Sequence, residues 1–178
     1  MEKKDLTFDD FDDTDKVILE VLQRNAKITI KQISDITGLS PTAIRARKEK
    51  LEGFLIKGYV TLLDCSKMGY REMVIAFLRI NSSVPIDQIK NKVLEIDEIK
   101  FAYITTGDYP VLILAKCIDH SDSIELIEKL RNLEGVEEIK TQIVLDKIKE
   151  DPTVIIPGYD AAPESMKQKV AKELNESL

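Results

Sequence analysis

TIKQISDITGLSPTAIRARKEKLE, residues 29–52, contains two helices and the break between them. Thr29-Ile-Lys-Gln32 reads as a capping box, in which the Thr hydroxyl accepts from a backbone N–H three residues on and the Gln side chain reaches back to the cap. Behind it, Ile30, Ile33 and Ile36 recur at helical spacing and mark an inward stripe. Gly38 follows as a left-handed stop, a conformation that suits a residue without Cβ. Ser40 then caps a second helix with Pro41 at its first position, where the missing N–H breaks no hydrogen bond. Two helices joined through a short Gly-containing turn form a helix-turn-helix.

The surrounding residues extend this reading. Upstream, residues 14–24 place Val17, Ile18, Val21 and Leu22 on one helical face behind Asp13 or Thr14 as a cap. Downstream, residues 56–64 (IKGYVTLLD) are β-like and are expected to supply the wing of a winged variant. Residues 14–64 thus read as a winged helix-turn-helix domain behind an acidic segment, 1–13. Winding residues 41–52 at 100° per residue puts Ile44 and Leu51 nearly in line, flanked by Arg47 and Lys48. The opposite face carries Thr42, Arg45, Ala46 and Glu49. Recognition helices reach bases from their first turns, so Thr42 and Arg45 are the base-reading candidates, with Ser40 and Pro41 alongside. Ala46 is small enough to let the backbone approach a base edge. Arg47, Lys48 and Lys50 lie off that face and are expected to contact phosphates. The alternative for Arg47 is a stem packed on the core with its head in water. The alternatives for the whole stretch are a solvated helix face or a surface for protein contacts.

Charge distribution bears on the choice. A net charge of −6 argues against a nonspecific nucleic-acid coat, but residues 14–64 carry nine basic against six acidic side chains. The other segments are acidic: two basic against six acidic in 1–13, twelve against fourteen in 65–149, and three against six in 150–178. Only the segment holding the candidate reading helix is basic. With 43% hydrophobic and 33% charged residues the chain reads as soluble and globular, and its 178 residues suffice for two small domains. Abundant Lys, Glu and Ile hint at a thermophilic source. No apolar run approaches the ~20 residues that span a bilayer, and MEKKDLTFDDFDD lacks the apolar stretch of a secretory signal, so a cytoplasmic protein is expected. Cys65 and Cys117 make no metal-ligand spacing and read as buried free thiols. His120 lies at the start of a helix without a nucleophile or metal partner, and no glycine-rich phosphate loop is present. Neither an enzyme, a metal nor a cofactor is implied.

From residue 71 strands alternate with helices. Met73–Ile80 is a near-continuous apolar strand, and Ile86, Ile89, Val93 and Ile96 follow at helical spacing. Ile99–Thr106 and Val111–Cys117 are strands around a Gly107-Asp108 turn, Ile124, Ile127 and Leu130 mark another helix, and Val136–Leu145 is a last strand. The order β-α-β-β-α-β is that of a ferredoxin-like domain over 65–149, so the fold class is α+β. Two helices cover one face of such a sheet. Consecutive apolar residues in Val74–Leu78 imply that the other face is covered too, by a second copy of the chain. At the turn Asp108 is suited to hold an ammonium group, with backbone N–H groups and Thr105 or Thr106 for a carboxylate, although Gly and Asp there also serve a plain hairpin loop. Residues 150–178 form an extension: a Pro-rich stretch, then Met166, Val170 and Leu174 every four residues, which suggest an amphipathic helix docked on a neighbour or another subunit, the alternative being a frayed acidic tail.

Together Asp12–Asp15 before Ile18-Leu19, Gly38–Thr42, Arg47, Leu51-Glu52, Ile56–Tyr59, Leu63-Asp64, Gly69 and Thr106–Tyr109 resemble the Lrp/AsnC (feast/famine) family of transcription regulators over residues 12–149. The resemblance implies sequence-specific binding of double-stranded DNA and a homodimer through the C-terminal sheet that assembles further, often to an octamer. It also implies an amino acid or related metabolite as effector near the Gly-Asp turn. Carried over, that points to Thr106, Gly107, Asp108 and Tyr109, with Thr141 contributed by a neighbouring chain. Lys48 stands where the family usually has an apolar residue, and Pro110 where it commonly has a second acid.

Overall fold

Asp12, Thr29 and Ser40 start the three N-terminal helices, each accepting from a backbone N–H of the first turn: Asp15 at 2.9 Å, Gln32 at 3.2 Å and Ala43 at 3.2 Å. The helices are α1 (Asp13–Arg24), α2 (Ile30–Thr37) and α3 (Pro41–Phe54). Gly38 ends α2 at φ 76°, the left-handed region where a side chain is strained. Val17, Ile18, Val21, Ile33, Ile44 and Leu51 are fully buried where these helices meet. The computed structural model describes residues 6–176, so residues 1–5 of the acidic segment and the last two residues of the expected terminal helix lie outside it.

The chain divides into two units, and the division departs from the expected one. The first unit comprises residues 1–61 together with 151–178, the second 62–150. The C-terminal extension is therefore part of the helix-turn-helix unit rather than a segment of its own. Its helix α6 (Glu164–Glu176) buries Val170, with Met166 and Leu174 beside it, in the core made by α1, α2 and α3. Ile156 and Ala162 are buried in the approach to α6, and Gln23 bonds both backbone groups of Val154, at 3.0 and 3.1 Å. The expected apolar repeat is present, and it packs on the chain's own first domain.

Residues 56–64, expected as a wing strand, join no ladder. A strand needs a hydrogen-bonded neighbour, and β-like composition cannot supply one. Val60, Leu62 and Leu63 stay exposed in consequence.

The second unit runs β1 (Glu72–Ile80), α4 (Ile86–Leu94), β2 (Ile99–Ile104), β3 (Val111–Cys117), α5 (His120–Arg131), β4 (Val136–Ile143). Its four strands are antiparallel in the order β2-β3-β1-β4, the expected ferredoxin-like sheet. Val74, Ala76 and Leu78 on β1 and Val111, Ile113, Ala115 and Cys117 on β3 are buried in one core with Ile89 and Val93 of α4 and Leu126 and Leu130 of α5. Residues of the other parity face away from the helices: Phe77, Leu112, Leu114, Phe101 and Tyr103, the last two with rings 6.4 Å apart. Both faces of β1 are apolar for this reason. Both cysteines are free; Cys117 is buried, while Cys65 is only half-buried.

If α6 is part of this core, Val170→Ala should lower the stability of the first unit by about 2 kcal/mol in urea unfolding. Gln168→Ala, on the exposed side of α6, should stay within about 0.5 kcal/mol of the parent.

Candidate functional site

Helix α3 keeps its two faces apart. Ile44 and Leu51 are fully buried, while Thr42, Arg45, Ala46 and Glu49 are on the other side, with Thr42 and Arg45 exposed as the winding predicts. Ser40 and Pro41 stand at its start, with the Ser40 hydroxyl engaged as the cap. Arg45 makes no hydrogen bond or ion pair among the described residues. An exposed stripe with one unengaged guanidinium and a small Ala beside it has the shape and chemistry to meet a base edge.

The phosphate-contacting residues expected on the flanks are placed otherwise. Arg47 Nη1 donates to Asp12 Oδ1 and Oδ2, both at 2.8 Å, and to Asp15 Oδ1 at 2.7 Å. Arg47 is thus engaged within the unit, though 30% of its side chain stays exposed, because the Asp15 carboxylate is buried on α1 and needs a counter-charge. Lys50 donates to the Asp10 carbonyl at 2.8 Å, lies 4.3 Å from the Phe11 ring centroid, and is 3.9 Å from Asp15 Oδ2. Phe11 is buried and stacks on Phe54 at 5.6 Å, so Asp10 and Phe11 lie against the C-terminal half of α3. Lys48 pairs with Glu52 at 3.4 Å and sits 5.5 Å from the Tyr59 ring centroid. The Tyr59 hydroxyl in turn donates to Glu52 at 2.9 Å. Its pKa is pushed up to about 12, by burial first and then by that carboxylate.

One basic residue missed in the sequence stands out. Lys57 is exposed and has no partner among the described residues, and it lies between two fixed points. Ile56 packs on the core and donates its N–H to the Leu51 carbonyl at 2.9 Å, and Tyr59 is tied to Glu52. The signal was available: a lysine between an apolar residue and an aromatic, immediately after the helix.

The electrostatics are set by this geometry. Burial works against the ionised Asp12 carboxyl, but the Asp15 N–H and the Arg47 guanidinium outweigh it and hold its pKa below the ordinary 3.8. Burial likewise opposes the Arg47 cation, and its hydrogen bonds to Asp15 and Asp12 more than compensate, raising its pKa.

In the second unit, Gly107 turns the chain between β2 and β3 at φ 102°. Thr105 closes the loop through its N–H to the Pro110 carbonyl at 2.8 Å and its hydroxyl to the Tyr109 carbonyl at 3.0 Å. Thr106 and Asp108 are exposed and unengaged among the described residues. The Tyr109 hydroxyl donates to Glu138 at 2.9 Å, the Lys140 ammonium lies 4.2 Å from the Tyr109 ring centroid, and Arg79 bonds Glu138 at 2.7 Å. Tyr109, Arg79, Glu138 and Lys140 form a polar cluster beside the turn that sequence reading missed, because only the sheet register brings them together. Thr141 does not join it within one chain. It pairs with Ala76, on the helix-covered parity, whereas Glu138 and Lys140 pair with Arg79 and Phe77 on the open one. A groove of about 510 Å³ on the open face, bounded by Met73, Phe101, Leu114 and Ile148, lies at the other end of the strands.

Comparison with known proteins matches both units. Residues 11–52 fit the AsnC-type helix-turn-helix domain and residues 74–154 the Lrp/AsnC ligand binding domain. The chain is 30% identical over 140 residues to the HTH-type transcriptional regulator FL11 of Pyrococcus furiosus, covering 78% of this chain and 92% of that one. It is also 30% identical over 152 residues to the leucine-responsive regulatory protein of Escherichia coli, covering 83% and 92%. A transcriptional regulator of Neisseria meningitidis, solved in complex with L-Met, shares the fold with a TM-score of 0.77 at 24% identity, over 83% of this chain and 97% of that one.

The depressed Asp12 pKa carries a sign. Its contribution to stability is present above about pH 4 and is lost as pH falls through its folded value. Asp12→Asn should lower stability at neutral pH and flatten the acid-side decline in denaturant melts taken between about pH 5 and pH 2. An unchanged decline would remove Asp12 from the linkage.

Proposed function

The chain belongs to the Lrp/AsnC family of transcription regulators, which are not enzymes. We propose that it reads double-stranded DNA through the exposed face of α3, with Thr42 and Arg45 at the base edges and the backbone at Pro41 and Ala46 close to the groove floor. The observation that carries this is the division of labour among the cations of α3: Arg45 is unengaged, while Arg47, Lys48 and Lys50 are tied to groups of the unit itself. Lys57 takes the phosphate role that the sequence pattern assigns to those three.

The working form is a homodimer in the cytoplasm. Phe77, Leu112, Leu114, Phe101 and Tyr103 make the open sheet face apolar, and a second copy covers it. Two recognition helices about one DNA turn, ~34 Å, apart then read a pseudo-palindrome. Such dimers assemble further, an octamer being the family's common form. An amino acid or related metabolite binds at the Gly107 turn: Asp108 takes its ammonium, and the Thr106 hydroxyl with the turn's N–H groups takes its carboxylate. Tyr109, held by Glu138, fixes the wall. The L-Met complex of the Neisseria relative supports this ligand class.

Selection from random duplexes followed by gel shift tests the DNA reading. Arg45→Ala should erase the preference at one base position, worth about 1–3 kcal/mol. Lys57→Gln should weaken binding to all sequences and reduce the salt slope by about 0.9, while Lys50→Gln leaves the slope as it is. If the parent selects no sequence at moderate salt, the helix-turn-helix serves protein contacts instead.

The effector site is checked by thermal shift against the amino acids. At least one should raise the melting temperature of the parent, and Asp108→Asn should abolish the rise. No shift with any amino acid would make the protein an effector-independent regulator.

A further inference from the structure

The C-terminal extension lies beyond the segment that carries the DNA-reading motif, and it returns to grip one helix of that motif at both ends. At the start of α2, Gln32 is the capping-box residue: its Oε1 accepts from the Thr29 N–H at 2.9 Å and the Thr29 hydroxyl at 2.6 Å. Its other arm, Nε2, donates to Glu173 Oε1 of α6 at 2.5 Å, so Glu173 orients the side chain that starts α2. At the end of α2, Lys169 Nζ donates to the Asp35 carbonyl at 2.9 Å and lies 3.4 Å from the Ile36 carbonyl. These belong to the last turn, whose carbonyls lack helical partners and where a cation also meets the negative end of the helix dipole. Lys169 and Glu173 are one helical turn apart on α6, and between them Val170 is buried in the shared core.

Immediately beyond the gripped end lies the turn that aims α3. The Gly38 N–H donates to the Ser34 carbonyl at 2.7 Å, the Leu39 N–H to the Thr37 hydroxyl at 3.3 Å, and the Ser34 hydroxyl to the Leu39 carbonyl. Each of these bonds ties the turn to α2, so the turn moves with α2 as one body. Through the turn, the direction of α3 from Ser40 onward is coupled to how α2 is held.

We infer that α6 is a positioning element for DNA reading, with Lys169 and Glu173 fixing α2 at its two ends and thereby setting the approach of Thr42 and Arg45 to the bases. This rests on the DNA reading proposed above. Burial of Ile156, Ala162 and Val170 docks the extension, and the two polar contacts add orientation. Base readout depends on side chains held to about half an ångström, whereas attraction to phosphates tolerates more. Loosening α2 therefore reduces discrimination before it reduces nonspecific affinity.

The test compares the full-length protein with Lys169→Gln, Glu173→Gln and Lys169→Arg on a duplex selected by the parent and on a scrambled duplex of the same composition. Lys169→Gln and Glu173→Gln should each lower affinity for the selected duplex about three- to tenfold. Affinity for the scrambled duplex and the salt slope should stay unchanged, and Lys169→Arg should restore discrimination. Wild-type discrimination in both Gln variants, or equal loss on both duplexes, overturns the positioning role. If Arg45→Ala loses discrimination while the Gln variants keep it, this inference fails and the DNA reading stands; if the parent itself does not discriminate, both fail.

Discussion

Asp15 is a carboxylate taken out of water, with only 3% of its side chain exposed. Desolvating such a charge costs several kcal/mol unless an opposite charge and hydrogen bonds replace the water. The opposite charge comes from Arg47 of α3, which bonds Asp12 as well, so this pair holds α3 against α1. The rest of the first unit is arranged around this constraint. With Arg47 turned inward, the face carrying Ile44 and Leu51 must also lie inward, and Thr42, Arg45, Ala46 and Glu49 are left on the outer side. Lys50 and Lys48 are secured beside it by Phe11 and Tyr59. The helix thus combines a locked back with an open front, and that pre-orders the front for a ligand of fixed shape such as a DNA groove.

The same logic of local anchorage recurs in the second unit. The sheet buries one face under α4 and α5 and leaves an apolar one open, while Tyr109, Arg79, Glu138 and Lys140 cluster at the Gly107 end. The open apolar face and the turn with its carboxylate and unengaged hydroxyl draw on different residues. The assembly and effector binding proposed above therefore do not compete for the same side chains. The chain passes between the two units twice, near residue 61 and again near residue 150, so the second unit is covalently continuous with both segments of the first.

Legibility in the sequence was local. Caps at Thr29 and Ser40, the left-handed Gly38, the isoleucine stripe of α2 and the strand order of the second unit are each written within a few neighbouring residues, and each appears in the structure. Winding α3 also separated its inner and outer faces correctly. It could not say where the flanking cations go, because the partners of Arg47 lie on α1 and its cap, more than thirty residues away in the chain, and helical angle alone is silent on distant acids. The repeat of Met166, Val170 and Leu174 announced that α6 has a partner without naming it. The wing expectation failed for a related reason: β-like composition in residues 56–64 describes what a strand would contain, and ladder formation needs a second strand. At the Gly107 turn Asp108 and its neighbours are visible as a loop motif, but Arg79, Glu138 and Lys140 reach it only through the register of β4 on β1.

Everything proposed for the first unit depends on the open front of α3 entering the major groove. Dimethyl sulfate protection on a selected duplex tests it most directly, since the reagent methylates guanine N7, which lies in that groove and is the atom an Arg reaches. Two patches of guanine N7 protection are expected about one helical turn, ~34 Å, apart, each centred on a half-site. Unprotected guanines on a duplex that the protein demonstrably binds would contradict it.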